Sequence, residues 1–383
     1  MKGGTGWAGL FFISSIFFLS PNLAAAQEPG PASVEGKDIK LEEVFSCGEP
    51  DKYLIMPGPQ KNGFKALIMS HHQLWKADDE KNNLVVKNYP SDESVNPLPS
   101  GNFLIIKYID EDQEVVWLED GTGKKLRDIT IKDGVNAAYS WICAHDGSWL
   151  MLFDNGPKKI QTLVYDRNGN LINSHPSPIG GFNKSCVSKD DQLIGLTETG
   201  SDHFYLLDKN GKLLKKIKMD AWGEDCRFSN DGKQAVFTSR KSLYIMDLHS
   251  FEVTQIPIPQ PVFGHISIDE FSGGEWVLGE QNHIWEISPG TRELRALWVD
   301  KLKRANKICV INDWIVTTYA EGKYPTRGNP ARPRISLAVL NPSGEFVYRA
   351  PISDCYKMEK QGNYLFLNTV KEFKIFKIKN NGN

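Results

Sequence analysis

Cysteine and histidine offer the widest range of chemistry in this sequence, which contains six cysteines and eight histidines in 383 residues. No Cys-x-x-Cys-His motif occurs, so covalent haem attachment is not expected, and the plain Cys-x-x-Cys motif is also absent. The histidines are scattered, and the one pair, His71-His72, falls in a predicted hairpin turn that favours solvation over metal binding. The Gly-x-Ser-x-Gly elbow of many hydrolases is missing as well. The sequence therefore predicts no catalytic constellation, no cofactor site and no metal site in this chain.

Five of the six cysteines end short motifs, WIC, KSC, EDC, KIC and SDC, that fall in the predicted first strands of successive repeat units. An even number of cysteines in an exported chain permits three disulfides. Buried free thiols that pack as small apolar groups are an equally good interpretation. No pairing follows from the sequence. The cysteines are Cys47, Cys143, Cys186, Cys226, Cys309 and Cys355.

The residues best suited to binding a partner lie in four predicted loops that are rich in proline and basic side chains. These loops are expected at 175–181, 257–264, 300–307 and 320–334. Long loops are uncommon unless they are functional or disordered, and proline lowers the entropy cost of ordering them against another surface. Tolerated, mobile surface loops are the alternative. The candidate partner-facing residues are Pro257, Pro259, Phe263, Lys301, Lys303, Arg304, Lys323, Tyr324, Arg327 and Arg332.

The elements that would position these loops are short strands, best seen in residues 222–256. Four apolar runs in this stretch are separated by turn-forming residues such as Asn230-Asp231-Gly232. The pattern predicts one four-stranded antiparallel sheet that is too small to bury both of its faces alone. It requires neighbouring sheets of the same kind.

The same unit recurs along most of the chain, marked by a small polar residue where an apolar third strand meets a turn. Successive markers are about 40 residues apart, a period typical of a β-propeller whose blades cover one another's apolar faces. The last separation is the longest because it contains the loop at 320–334. The markers are Asp78, Asp120, Asp166, Asp208, Asp247, Ser288 and Asn341.

The sequence therefore predicts an all-β fold, a single β-propeller of four-stranded antiparallel blades. Eight hairpins of second and third strands can be counted, which favours eight blades over seven. The last unit has only three strands, whereas the run 38–45 belongs to no unit. Pairing that run with 373–378 as the fourth strand of the final blade would close the ring and remove its open edges.

The N-terminus is typical of an exported protein. Residues 1–26 contain one lysine, an apolar stretch and a small-residue cleavage site after Ala26, which predicts a signal peptide. Residues 27–37 are polar and proline-rich and predict a disordered lead-in, and 38–383 would form the propeller. No later segment is apolar for long enough to span a membrane. The predicted location is the periplasm or an equivalent extracytoplasmic compartment.

The charge of the chain argues against two classes of partner. Its formal net charge is −2, without a basic stripe or a charged block. Nucleic acids and anionic membranes bind chiefly to concentrated positive charge. Protein subunits are therefore the expected partners.

The repeats resemble those of bacterial periplasmic propellers of the quinoprotein and YVTN type. The shared feature is the Asp-x-x-Gly-x turn after the third strand, and the resemblance covers nearly the whole mature chain. It implies the architecture and not one activity, because such repeats serve many functions. The Trp-Asp dipeptide of WD repeats and the tryptophan-docking pattern of quinoprotein dehydrogenases are both missing, so a bound quinone is not expected.

Two functions from different classes are compatible with these features. In the first, the chain is a cofactor-free binding or scaffold subunit of a periplasmic multi-subunit redox complex. Its size, export and architecture are similar to those of the β subunit of hydrazine synthase, which is usually described as seven-bladed and belongs to a complex that joins nitric oxide and ammonium. That resemblance implies haem c only on partner subunits, the multi-haem cytochromes. In the second, the chain is a stand-alone periplasmic hydrolase or lactonase with its site at the channel mouth.

Overall fold

A computed structural model of the chain describes most of the region that follows the predicted lead-in. The predicted signal peptide and lead-in lie outside the described residues. Within these residues, no helix is long and apolar enough to cross a membrane. The described residues are 39–48, 52–57, 64–70, 73–78, 84–91, 93–110, 113–129, 140–155, 160–179, 182–198, 200–259, 266–280, 282–288, 290–291, 293–299, 303–321, 334–353, 355–369 and 371–380.

The described part of the chain is all-β and forms eight antiparallel sheets of four strands, as an eight-bladed propeller requires. In the first seven blades the strands follow chain order from the inner to the outer edge. Blade 1 contains β2 (Lys52–Pro57), β3 (Phe64–Ser70), β4 (Gln73–Asp78) and β5 (Leu84–Asn88). Blade 2 contains β6 (Glu93–Pro97), β7 (Phe103–Asp110), β8 (Gln113–Glu119) and β9 (Lys125–Asp128). Blade 3 contains β10 (Ser140–Cys143), β11 (Trp149–Asn155), β12 (Ile160–Asp166) and β13 (Leu171–Pro176).

The remaining blades continue the same order around the ring. Blade 4 contains β14 (Phe182–Val187), β15 (Leu193–Glu198), β16 (His203–Asp208) and β17 (Leu213–Lys218). Blade 5 contains β18 (Gly223–Phe228), β19 (Gln234–Ser239), β20 (Ser242–Asp247) and β21 (Val253–Pro257). Blade 6 contains β22 (Ile266–Glu270), β23 (Trp276–Glu280), β24 (His283–Ile287) and β25 (Leu294–Val299). Blade 7 contains β26 (Lys303–Ile311), β27 (Trp314–Glu321), β28 (Arg334–Leu340) and β29 (Phe346–Ile352). Blade 8 contains β30 (Cys355–Gln361), β31 (Tyr364–Thr369), β32 (Glu372–Asn380) and β1 (Ile39–Gly48).

The apolar core lies between blades, where buried side chains of neighbouring sheets pack together. Phe204 of blade 4 stacks on Phe237 of blade 5 with ring centroids 4.0 Å apart, and Phe237 stacks on Tyr244 at 5.2 Å. Between blades 5 and 6, Val236 packs in the same buried cluster as Trp276. Each blade therefore buries its faces only because its neighbours are present.

The predicted ring closure is confirmed. Strand β1 pairs antiparallel with β32, from Ile39 opposite Asn380 to Gly48 opposite Glu372. Ile39 is buried with residues of blades 7 and 8, and Phe45 is buried with Ala66 and Ile68 of blade 1. The closing strand thus takes part in the cores on both sides of the last blade.

The marker residues of the repeats stabilise the turns after the third strands. Asp166 Oδ1 accepts hydrogen bonds from the backbone N–H groups of Asn168 and Asn170, both at 2.8 Å. Asn341 makes the equivalent bonds to Ser343 and Glu345 at 3.0 and 2.9 Å. The fourth residue of the turn, Gly169 in blade 3, has a φ of 79°, a conformation that favours glycine. The Asp-x-x-Gly-x pattern is therefore a requirement of the turn.

Four cysteines in the described part of the chain are free thiols, namely Cys143, Cys186, Cys226 and Cys309. Cys226 and Cys309 are buried. Burial and a neighbouring carboxylate, Asp191, raise the pKa of Cys143 to about 12. Burial likewise raises the pKa of Cys309 to about 12, with Asp269 adding to the effect. The thiols of Cys143 and Cys309 are therefore protonated at neutral pH and pack as small apolar groups.

Candidate ligand channel

The inner strands of blades 3 to 8 line a cavity of about 1060 Å³, which we call the channel. Its wall is largely polar and carries charges of both signs, among them Lys184, Arg227, Asp269 and Lys307. A cavity of this size admits a small molecule. The channel is the candidate functional site.

One layer of the channel wall is built by repeated β-bulges. In β14, β18, β26 and β30 the pairing with the second strand shifts register by one residue near the start of the strand. The residues that resume pairing face Thr197, Thr238, Thr318 and Asn368, which are equivalent positions of the second strands. Ser267, opposite Gly279, holds the same register position in β22. We call this set the bulge layer, which consists of Lys184, Asp225, Ser267, Lys307 and Lys357.

Threonines of the second strands fix the bulges. Thr197 Oγ1 accepts a hydrogen bond from the Lys184 N–H at 3.2 Å, and Thr238 Oγ1 accepts one from the Asp225 N–H at 3.1 Å. Thr317 Oγ1 donates to the Lys307 carbonyl at 2.8 Å. A bulge turns the extra residue out of the ladder and re-aims the next side chain. The bulge layer is therefore held by the blade and not by the loops.

The carboxylates of the channel wall join the inner strands of adjacent blades. Asp225 Oδ2 accepts from the Ile268 N–H at 3.1 Å, and Asp269 Oδ2 accepts from the Val310 N–H at 2.6 Å. Asp269 also forms an ion pair with Lys360 at 2.7 Å. Burial raises the pKa of Asp225, although Arg227 and the backbone amides oppose this effect. These two acids are engaged in holding the ring together.

Two lysines of the bulge layer, Lys184 on blade 4 and Lys307 on blade 7, have no carboxylate within ion-pair distance among the described residues. Burial lowers the pKa of Lys307, and repulsion from Lys184 lowers it further. The Lys184 charge is therefore close enough to disfavour the charged form of Lys307, and Asp225 opposes this effect only in part. A partly buried ammonium group without an ion-pair partner is unfavourable for the fold.

Arg227 is a third cation of the channel wall. It lies two residues after Asp225, the bulge-layer residue of β18. Its Nη1 lies 3.9 Å from Asp269 Oδ1, while its Nε has no hydrogen-bond acceptor in the described part of the molecule. Burial opposes the charged guanidinium, but Asp269 and Asp225 outweigh it and raise the pKa of Arg227. Its side chain is 39% exposed and lines the channel, although Nε itself is buried.

The pair formed by His145 and Asp191 resembles the oriented histidine of a catalytic dyad, because His145 Nδ1 lies 2.7 Å from Asp191 Oδ1. The same carboxylate also accepts from the His145 N–H at 2.8 Å. Blades 6 and 7 have an equivalent link in which Asp313 accepts from the N–H of Ser272 at 2.8 Å and from its hydroxyl at 2.7 Å. The His145 contact is therefore one of a set of inter-blade links, and we assign it a structural role.

The structure corrects one of the predicted partner loops. The segment 300–307 was expected to be a loop, but Lys303 and Arg304 lie in β26 and pair with Glu321 and Ala320 of β27. The run lacks the apolar alternation that marks the other inner strands, and its pairing partner in β27 is what makes it a strand. At 175–181, His175 and Pro176 end β13.

The other predicted partner-facing residues divide into two groups. Pro257, the last residue of β21, and Pro259 are exposed. The remaining candidates, Phe263, Lys301, Lys323, Tyr324, Arg327 and Arg332, lie outside the described residues. The wall residues Lys184, Asp225 and Arg227 were missed as site residues. The motifs KSC, EDC and KIC contain three bulge-layer positions, but their cysteines were interpreted only as packing or disulfide residues and Lys307 only as part of the predicted loop 300–307.

Comparisons with known proteins show the fold and no family. No family model and no curated protein sequence matches the chain. Among solved structures, the chain is similar to the C-terminal WD40 domain of Sif2, with a TM-score of 0.57 and 10% identity over 88% of this chain and 98% of that one. It is also similar to virginiamycin B lyase from Staphylococcus aureus, with a TM-score of 0.52 and 12% identity over 88% and 99% of the two chains. A weaker likeness, with a TM-score of 0.46 and 16% identity, covers 59% of this chain and 71% of a chain of hydrazine synthase from Kuenenia stuttgartiensis. At these identities the first two likenesses establish the fold alone, a β-propeller.

Proposed function

We propose that this protein is an exported binding subunit that docks on other protein subunits through one face of its propeller. One observation carries the proposal, the hairpin of β27 and β28 in blade 7. Its pairing continues without a break to Glu321 opposite Arg334. The twelve residues between them, 322–333, are therefore an insertion that the blade does not need in order to form its hairpin. An insertion of this length in a compact domain is expected to have a function.

The chemistry of the insertion supports a role in docking. It contains Lys323, Tyr324, Arg327 and Arg332 together with three prolines. Tyrosine and arginine are the side chains most enriched at the energetic centre of interfaces. In a propeller, loops between the second and third strands emerge on the same face as the connections between blades. Pro257 and Pro259, at the connection from blade 5 to blade 6, would belong to that docking face.

The specific form of the proposal is a periplasmic redox complex in which multi-haem cytochrome subunits carry haem c and this chain carries no cofactor. Hydrazine synthase, which joins nitric oxide and ammonium, is the candidate complex. Support comes from the size of the chain, its predicted export and its propeller architecture. In such a complex this subunit would act as a scaffold. The purified mature chain should then show no chromophore above about 350 nm.

The docking proposal is tested by replacing residues 322–333 with Asn-Gly, which forms a two-residue hairpin turn. The variant should melt at the same temperature as the mature protein, because the paired strands remain. Size-exclusion chromatography after co-expression with the partner subunits should show loss of the complex. A control variant with a Gly-Ser segment of the original length separates the effect of the side chains from that of loop length. Retention of the complete complex by the Asn-Gly variant would contradict the proposal and favour the stand-alone hydrolase or lactonase.

A further inference from the structure

We infer that the channel binds a small multivalent anion with carboxylate or phosphate groups, held by Lys184, Lys307 and the guanidinium of Arg227. This inference does not depend on the docking proposal, because all three side chains belong to inner strands of the propeller. The ligand would lie inside the ring, and no other chain is needed to complete the site.

The first step is the placement of the three cations around one cavity. Lys184, Arg227 and Lys307 belong to blades 4, 5 and 7, and all three line the same space. Lys184 and Lys307 hold equivalent positions of the bulge layer, so they lie at the same level of the channel. A ligand between blades 4 and 7 can contact both lysines, with Arg227 on the wall between them.

The second step concerns the acids that could neutralise these cations. Asp225 uses both carboxylate oxygens on backbone amides, those of Cys226 at 3.0 Å and Ile268 at 3.1 Å. Asp269 is occupied by the Val310 amide and by Lys360. Neither acid lies within ion-pair distance of Lys184 or Lys307 in the described part of the chain. The lysine ammonium groups remain available to a ligand.

The third step is the chemistry of the ligand. Two ammonium groups on blades 4 and 7 fit an anion that presents negative charge at two points. The guanidinium of Arg227, whose Nε has no acceptor among the described residues, adds a planar donor for carboxylate or phosphate oxygens. Ser267 is not available, because its hydroxyl exchanges hydrogen bonds with the backbone N–H and C=O of Ile308 at 3.3 and 3.5 Å. The ligand would therefore be recognised by charge, with few neutral hydrogen bonds.

The energetics of these charges agree with this inference. Two like charges lie in one partly buried channel and Lys184 disfavours the charged form of Lys307, an arrangement that a further counter-charge would stabilise. Because a ligand anion supplies that counter-charge, binding should stabilise the folded protein by mass action. Thermal melting therefore reports binding independently of calorimetry.

The test is isothermal titration calorimetry of the mature protein at low ionic strength with two probes, citrate for carboxylate groups and pyrophosphate for phosphate groups. Loss of one charge-assisted contact typically weakens binding about tenfold. Lys184→Gln and Lys307→Gln should each show that loss for the preferred probe, and the double variant should lose more than either single variant. Lys215→Gln, on the exposed outer strand β17, is the control and should bind within about twofold of the wild type.

Three results would overturn the inference. The first is absence of binding for both probes, and the second is equal binding by the double variant and the wild type. The third is loss of binding only in variants that fail to melt cooperatively. Lys184→Arg and Lys307→Arg are controls that distinguish loss of charge from misfolding. Because they keep the positive charge, they should retain most of the affinity if the ligand is recognised by charge.

Discussion

The turns after the third strands and the bulge layer of the inner strands are both repeated features, but they repeat in different ways. The turns repeat one kind of side chain, an aspartate or asparagine whose oxygen accepts from the backbone N–H groups two and four residues later, as Asp166 and Asn341 show. The bulge layer repeats a position, filled by lysine in blades 4, 7 and 8, aspartate in blade 5 and serine in blade 6. A side-chain type that recurs from blade to blade therefore indicates what the architecture requires. A repeated position with varied residues is free to carry a specific function.

The largest effect is expected from removing the strand that completes the architecture. Deletion of residues 37–46 removes most of β1, including Ile39, Leu41 and Phe45, which are buried. Removing three buried large side chains and one edge of a sheet should destabilise the fold by about 5 kcal/mol or more. Thermal unfolding followed by circular dichroism measures the loss.

A matched deletion of residues 27–36, the predicted lead-in, should leave the melting temperature unchanged. If both deletions melt like the mature chain, the closing strand adds nothing to stability. The cores on either side of blade 8 would then hold the ring by themselves.

A smaller loss of stability is expected when the side chain of a turn marker can no longer accept hydrogen bonds. Asp166→Ala removes the bonds from the Asn168 and Asn170 amides and one from the Asn170 side chain at 2.7 Å, and should cost about 1–2 kcal/mol. Asp166→Asn keeps an acceptor oxygen, as Asn341 does in blade 7, and should cost much less. Urea unfolding of the three proteins gives the difference. An equal loss in both variants would mean that charge, and not the acceptor, stabilises the turn.

The ionisation of Asp166 predicts that the stability of the protein depends on pH. Burial works against the charged form of Asp166, but hydrogen bonds from Asn170 and Asn168 and the charge of Arg127 outweigh it and lower the pKa of Asp166. Since the folded pKa lies below the unfolded value, this contribution is complete above the ordinary aspartate pKa of about 3.9. It is lost as the pH falls through the lowered pKa. The stability difference between wild type and Asp166→Ala should therefore shrink only in acid.

Much of the architecture could be predicted from the sequence because its signals are local. The turn markers, their period of about 40 residues and the unpaired run at 38–45 predicted the blades and their closure, and the pairing of β1 with β32 confirms that closure. Lys303 and Arg304 were wrongly placed in a loop because the strand that contains them depends on its pairing with β27.

The channel site could not be predicted in the same way. Lys184 and Lys307 are far apart in sequence and become equivalent only when their strands are paired across a bulge. A bulge shifts the facing residue by one position, so the period of two along the strand does not reveal which side chains face the channel. The charged residues beside the cysteines in KSC and KIC were visible, but nothing local distinguished them from solvated surface lysines.

The smallest predicted change in stability is a gain and not a loss. It tests whether a residue of the bulge layer, unlike a turn marker, is unnecessary for the fold. Lys307→Met removes a charge that burial and Lys184 disfavour, so it should stabilise the protein by up to about 1 kcal/mol. Because the folded pKa of Lys307 lies below the unfolded value, the penalty is complete below the lowered pKa. It disappears as the pH rises toward the ordinary lysine value of about 10.4. The difference in unfolding free energy between Lys307→Met and the wild type should therefore become smaller at alkaline pH.

Chemical denaturation of Lys307→Met at neutral and alkaline pH measures both the gain and its narrowing. The control is Lys215→Met on β17, where the exposed position predicts no comparable gain. A destabilised Lys307→Met protein would show that Lys307 belongs to the architecture, like the turn markers. A stabilised protein would show that the chain keeps an unfavourable charge in its channel, as expected of a residue retained for the ligand and not for the fold.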